Sequence, residues 1–511
     1  MKKRKTAILL ALALSLATVF TACGGSSKDG SSQAKPQDQS EAGDQADATD
    51  QTDAADQTDA AGQAGAASDQ TSDTAGQPAA DKFHIELEEV GRVNRNDGYV
   101  ADGDALLYYE GDDVKFCDFK GNIVDERPIA GSDYLGWGLY TVALENEEEI
   151  NRVGLVTVDG EVLIPFDAAI IDFPLSQLNK DVKPRYILAY YGTEQTTNQE
   201  ESLFYSSDRP FPVTANDDDT FYKGFIRIYD LETRQFVNGL EFDHGNKASF
   251  DQVGDNLLVD VDSPRVVYSP DGKAVYTEQG SLFINRNYMV DTIDGQYVIM
   301  DANGNPLYSS DVSPLPLGNN SDYFTQRDGD ITTAINAKGE PVLNGEWKYI
   351  SAESKDRFCV QNDNDSYLVS ADNTIIYTSP SSFQIGPLGF IVTDNEQNIT
   401  VVTPGNRIIK DLQNGAYDLI YTKDDGASYL ILNTGEFASV GDNFFHAVSE
   451  GLICLGNAEH KYALIDSFTG EKLYDFVYDT INPVDSIKPD YIYCEDGDEI
   501  IIYKVNIVPE Y

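Results

Sequence analysis

A strand-turn-strand unit recurs along this chain, and that recurrence limits the fold more than any single residue does. Each copy has two or three bulky apolar residues, an acidic turn, a second apolar run and then an Asp/Asn-x-Gly type of turn. The second turns read DFKG (118–121), VDG (158–160), SPDG (269–272), DANG (301–304), NAKG (336–339), TPG (403–405), NTG (433–435) and DSFTG (466–470). Gly supplies the positive φ such hairpins need, and Asp or Asn bonds back to its own backbone. The flanking runs QYVIM, SYLVS, NITVV, SYLIL and YALID are β-formers without a helical period. Aligning the first strands places Tyr108, Thr141, Leu188, Val259, Val290, Thr325, Cys359, Val392, Tyr421, Cys454 and Cys494 on one position, a repeat of about 33 residues.

A further short segment lies between copies, as AAIID (168–172), KYISA (348–352) and YDTIN (478–482), which makes four short strands per unit. The expected fold is therefore all-β, a β-propeller of one or two rings of short four-stranded blades. A linear stack of β-meander repeats is the alternative. The stretches GLVTVDGEVLIPFDAAIIDF (154–173) and KYALIDSFTGEKLYDFVYDTINPV (461–484) resemble WG-type β-repeats. Val153-Gly154-Leu155 and Tyr462-Ala463-Leu464 stand where that family has its Trp-Gly pair, and Trp137-Gly138 falls elsewhere in the unit. YSPDGK (268–273) is similar to one strand-turn of TolB-like propellers. The resemblance implies architecture more than activity.

The N-terminus carries a basic start (Lys2, Lys3, Arg4, Lys5) and an apolar run of 14 residues, Ala7 to Phe20. A membrane-spanning helix needs about 20, so 1–22 reads as a cleaved signal peptide. Phe20-Thr21-Ala22-Cys23-Gly24-Gly25 resembles the lipobox of bacterial lipoproteins. The resemblance implies lipidation of Cys23, attachment to the membrane through that lipid, and a position on the extracytoplasmic face. Residues 23–80 consist largely of Gly, Ser, Ala, Gln, Asp and Thr. Nothing there can offset the entropy of ordering, so the segment reads as a tether reaching roughly 40–45 Å. Residues 81–511 are the folded part. Taking the 11 acidic and 6 basic residues of 1–80 from the chain's 86 and 36 leaves 75 and 30, a net charge of −45. Such a surface repels phosphates, so nucleic acid is excluded as a partner.

No catalytic constellation stands out. There is no CxxC pair, and Cys359, Cys454 and Cys494 occupy a strand position that other copies fill with Val or Thr, which makes them buried apolar residues. His84, His244, His446 and His460 form no zinc-binding spacing. No metal site or cofactor is indicated, and the chain reads as a non-enzyme. A cation-dependent surface hydrolase or lyase, and a purely structural envelope protein, are the alternatives.

Two features suggest binding. The turns joining the aligned strands are acidic and would crowd Asp112, Asp113, Asp328, Asp330, Asp363, Asp365, Asp424, Asp425, Asp496 and Asp498 onto one face. Calcium or a basic partner would relieve that crowding, although Asp, Asn and Gly are also what tight turns select. One unit is interrupted: between RYILAYYG (185–192) and GFIRIYD (224–230) lies a long insertion, 193–223. Loops of that length are functional or disordered. With its flanks the insertion supplies Tyr190, Tyr191, Phe204, Tyr205, Phe211, Asp217, Asp218, Asp219 and Tyr222 as candidate contacts for a protein, peptide or glycan. A decorative insertion packed on a neighbouring blade is the other reading.

Overall fold

The computed structural model describes residues 82–145, 150–174, 183–196, 221–242, 249–261, 264–317, 322–354, 357–385, 391–395, 398–403, 406–412, 420–422, 428–431, 437–441, 444–449, 451–484 and 490–510. All lie within one compact unit, Thr71–Tyr511. Cys23 and the tether fall outside the described residues.

The described strands form eleven antiparallel sheets, eight of four strands and three of three. In ten of the eleven sheets the strands are hydrogen-bonded in sequence order, so each of those units is a meander. The eleven aligned positions fall one to a sheet: Tyr108 in Ala105–Glu110, Thr141 in Leu139–Leu144, and so on to Cys494 in Tyr491–Asp496. From sequence alone these are the first strands of their units. Where four strands are seen they are the second, because a shorter strand such as Ile170–Asp172 or Thr480–Pro483 precedes them. Cys117, Cys359, Cys454 and Cys494 are buried. Burial pushes the thiols of Cys117 and Cys454 up to about 12.

The turn after the third strand repeats in chemistry as well as in position. In the fifth sheet the side chain of Asp301 accepts from the backbone of Asn303 and Asn305, both at 2.9 Å, and Gly304 closes the turn at φ 84°. Asn373 and Asn406 fill the same positive-φ position where Gly is missing. This is a type I turn closed by a left-handed residue, with a register shift beside it. The turn also packs outward: a Cβ on Gly339 would lie 2.2 Å from the Tyr308 ring of the preceding sheet.

Packing follows sequence order. Buried clusters join the second sheet to the third (Leu155, Ile164 with Ile187, Ala189) and the third to the fourth (Tyr186, Leu188 with Phe250, Leu257). Others join the fourth to the fifth (Val267 with Met289), the fifth to the sixth (Val290 with Phe324), the sixth to the seventh (Ala334 with Phe358) and the seventh to the eighth (Leu368 with Val402). The eleventh sheet breaks the linear pattern. Its outer strand is Lys82–Asn94, the first of the chain, paired along Glu499–Glu510. That sheet shares one cluster with the tenth (Ile492, Cys494 with Leu452, Cys454) and another with the first two (Tyr491, Tyr493 with Phe116, Phe119 and Tyr140). The two ends of the repeat array are therefore packed together.

Candidate binding face

Strands of a meander alternate in direction, so every turn from second to third strand leaves its sheet at the same end as the connector to the next sheet. The acidic turns are these. Gly111-Asp112, Gly329-Asp330 and Gly497-Asp498 are two-residue turns closed by the pairs Glu110↔Asp113, Asp328↔Ile331 and Asp496↔Glu499. In each, Gly takes positive φ (69°, 62° and 60°) and leaves the aspartates exposed. Asp363 is exposed and Asp365 half-buried, in a turn where Asn362 Oδ1 accepts from the backbone of Asn364 and Asp365 at 2.9 Å. Asp424 and Asp425 lie outside the described residues.

Basic residues meet several of these turns, Lys348 and Arg95 from connectors and Lys461 from the second-to-third turn of the tenth sheet, pairings that join separate units. Lys348, between the sixth and seventh sheets, pairs with Asp363 and feels Asp330 of the neighbouring turn, which raises its pKa. Asp479, between the tenth and eleventh, accepts from the Gly497 amide at 2.9 Å and from Lys461 Nζ at 2.7 Å, and the Lys461 contact holds its carboxyl below the usual range. Arg95 pairs with Glu495 and donates its backbone N–H to Asp498 at 2.8 Å. Among the described residues no three of His, Cys, Asp and Glu are grouped to hold a metal ion. With lysines already placed at the turns, calcium is expected to leave the thermal midpoint of residues 81–511 unchanged relative to chelator. A rise of several degrees would revive the cation reading.

The interrupted unit differs in length. Its hairpin, Tyr186–Thr196 with Phe221–Asp230, pairs from Tyr186↔Asp230 to Thr196↔Phe221 with a bulge between Gly192 and Glu194. Among the described residues the first strand of the sheet pairs as far as Tyr190↔Ile170 and the fourth as far as Ile226↔Phe242. Among the described residues, from Gly192 and Gly224 outward the hairpin is thus a two-stranded ribbon with neither flank paired to another strand of its own sheet. Asn151 of the preceding sheet fixes its base, donating to Gly192 O at 2.8 Å and accepting from Gly192 N at 2.9 Å. A Cβ on Gly192 would lie 2.5 Å from Ile150, so the contact is close.

The candidate contacts separate accordingly. Tyr191 is a correction: it is 9% exposed, stacks on Phe225 at 5.1 Å and 13°, and belongs to the core between the second and third sheets. Adjacent strand residues face opposite ways, and Tyr190 is half-buried against the other core cluster. Tyr222 lies in the ribbon opposite Gln195. Phe204, Tyr205, Phe211, Asp217, Asp218 and Asp219 lie outside the described residues. The ribbon residues the sequence reading passed over are Thr193 and Glu194, exposed, and Lys223, which pairs with Glu194 at 3.5 Å.

No family model matches the chain, and no curated protein is similar to it. Among solved structures it is similar to the computationally designed Ika8 protein, at 9% identity and a TM-score of 0.25, over 66% of this chain and 99% of that one. It is also similar to BamB from Moraxella catarrhalis, at 9% identity and a TM-score of 0.23, over 82% of this chain and 100% of that one.

Proposed function

We propose that this is a lipid-anchored, extracytoplasmic binding or scaffold protein of the bacterial envelope, its sheets arranged as a propeller-type array. The array reading is supported by consecutive sheets packing on one another and by the first strand completing the last sheet. The anchor reading rests on Lys2–Lys5, the apolar run and Phe20–Gly25. The observation that carries the binding reading is the ribbon at Thr193–Thr196 and Phe221–Gly224, whose edges no described strand of its sheet covers. Open edges are liabilities unless covered or used, and strand addition to such an edge is a common way to capture an extended peptide.

The test replaces 193–223 with a two-residue Asn-Gly turn and measures binding of residues 81–511 to isolated cell envelopes. Saturable binding by the parent, lost in the shortened variant at an unchanged thermal midpoint, is expected. Equal binding by both variants, or none by the parent, removes the reading.

A further inference from the structure

Neighbouring strands of the other ten sheets follow one another in the chain, but Lys82–Asn94 and Glu499–Glu510 do not. The contacts that seat the first of these are accordingly long-range. Ile85 N donates to Asp466 Oδ2 at 2.9 Å across 381 residues, and the Phe83 ring meets Phe468 at 5.7 Å. Gly91 sits against the Phe119 carbonyl, and a Cβ on Gly121 would lie 2.8 Å from Val93. These partners, and all twelve ladder partners, follow the short turn Arg95–Gly98 in sequence. The strand's seat is thus built by the chain beyond that turn.

The seat is selective. Asp466 is buried, and its Oδ1 accepts from the amides of Phe468 and Thr469 at 2.7 and 3.3 Å, which leaves Oδ2 for a strand amide. Ile85 is buried in one cluster with Leu452, Ile492 and Ile501. At position 91 the seat admits no Cβ, since one would lie 1.6 Å from Phe119 O. In folding, Glu499–Glu510 and the Asp466 turn are near each other in sequence and come first, whereas a contact across 381 residues comes late. Until it forms, the same strand from a neighbouring chain can make the same contacts. Occupants from the same chain and from another then differ only in effective concentration.

We propose that this seat accepts Lys82–Asn94 of a second copy of the chain, so that two copies exchange strands and form a dimer. The turn Arg95–Gly98 is the hinge. Asn94 Oδ1 accepts from Asn96 N at 2.9 Å, and Gly98 follows at φ 99°, a conformation that glycine leaves freely. The exchange does not rest on the ribbon, and shortening 193–223 leaves the seat untouched.

The experiment refolds residues 81–511, which carry every described strand, in the presence of the labelled peptide KFHIELEEVGRVN. A strand on a short linker has an effective concentration on the order of 1 mM, so peptide at about that level is expected to stay with roughly half of the chains on gel filtration. In those chains trypsin is expected to cut the displaced strand at Arg92. The same peptide carrying Gly91→Ala is expected to be retained at least about tenfold less, because Phe119 refuses its Cβ. Without peptide, raising the protein concentration during refolding is expected to raise the dimer fraction, and the glycine peptide to suppress it. Equal retention of the two peptides, or retention of neither, would overturn the proposal. So would the lack of a dimer at any concentration, or a dimer that the peptide leaves unchanged.

Discussion

A single methyl group at position 91 is expected to unseat the strand Lys82–Asn94. Gly91 follows the bulge at Glu89, and a Cβ there would lie 1.6 Å from the carbonyl oxygen of Phe119 and 2.6 Å from its carbon. Neither side can yield. The Phe119 amide donates to Val158 O at 3.0 Å, and its ring is buried among Tyr140, Tyr491 and Tyr493. On the other side Ile85 N donates to the buried carboxylate of Asp466 at 2.9 Å, and twelve residue pairs hold the strand to Glu499–Glu510. Gly91→Ala is therefore expected to cost about 3–5 kcal/mol, the range of backbone overpacking at a site that cannot relax. Losing the strand also bares a long edge on Glu499–Glu510, so aggregation on heating is expected. Gly131→Ala is the control. Gly131 lies in Ile129–Gly136 with nothing within 4 Å of an added Cβ, and the change is expected to be neutral or mildly stabilising. Calorimetry with limited proteolysis at 82–94 decides. A Gly91→Ala protein within about 1 kcal/mol of the parent, with that segment uncut, would show that the strand does not hold the terminal sheet.

How far the sequence reading reached depended on whether the determinant was local. The eleven reference positions each fell in a different sheet, because hairpin chemistry is written in neighbouring residues: Asp301 bonding to Asn303 and Asn305 needs only a pentapeptide. The shortest strands were harder. Ile170–Asp172 has three residues, too few to show alternation, and so in sequence it reads as a segment between copies. Pairing of Lys82–Asn94 with Glu499–Glu510 was not legible, since an alternating run states that it wants a partner strand but not which one. The acidic rim is legible in position and misleading in charge, because Lys348 of a connector pairs with Asp363 and Lys461 of the Asn457–Lys461 turn pairs with Asp479 of another connector, and no single turn sequence states either pairing. Proximity in sequence groups Tyr190 and Tyr191 with the insertion, but strand alternation sends one of two adjacent tyrosines away from any shared face. Trp137 stood out in the sequence only as a displaced Trp-Gly dipeptide; its left-handed backbone is a tertiary fact.

The buried tyrosines where the first two sheets meet the last make the fold sensitive to alkali in a direction that can be derived. Tyr134, Tyr140, Tyr491 and Tyr493 are 8%, 0%, 9% and 1% exposed. Tyr140 and Tyr493 both donate to the carbonyl oxygen of Asp104, the latter at 3.1 Å, and Tyr134 donates to Asp490. Burial is the main cause that raises all four phenols: Tyr491 is pushed up to about 12 and the other three go higher. Below the ordinary phenol value of 10.0 all four are neutral whether the chain is folded or not, and their contribution is complete. As pH rises past that value the unfolded chain releases protons that the folded chain still holds, so stability falls toward the raised folded values. At pH ~11 each group costs about 1.4 kcal/mol, and the four together about 6 kcal/mol. That is comparable to the whole stability of an ordinary domain. Residues 81–511 are therefore expected to unfold in one cooperative step between about pH 10.5 and 11.5. Tyrosinate absorbance and far-ultraviolet circular dichroism should change together. Tyr140→Phe removes one hydroxyl from the cluster and is expected to move that step upward once its own loss of a hydrogen bond is offset by matching the two proteins at neutral pH. Tyrosinate appearing gradually from pH ~10, with the β signal intact and all phenols titrating, would mean that water reaches the junction and that the ends of the array are not closed by it.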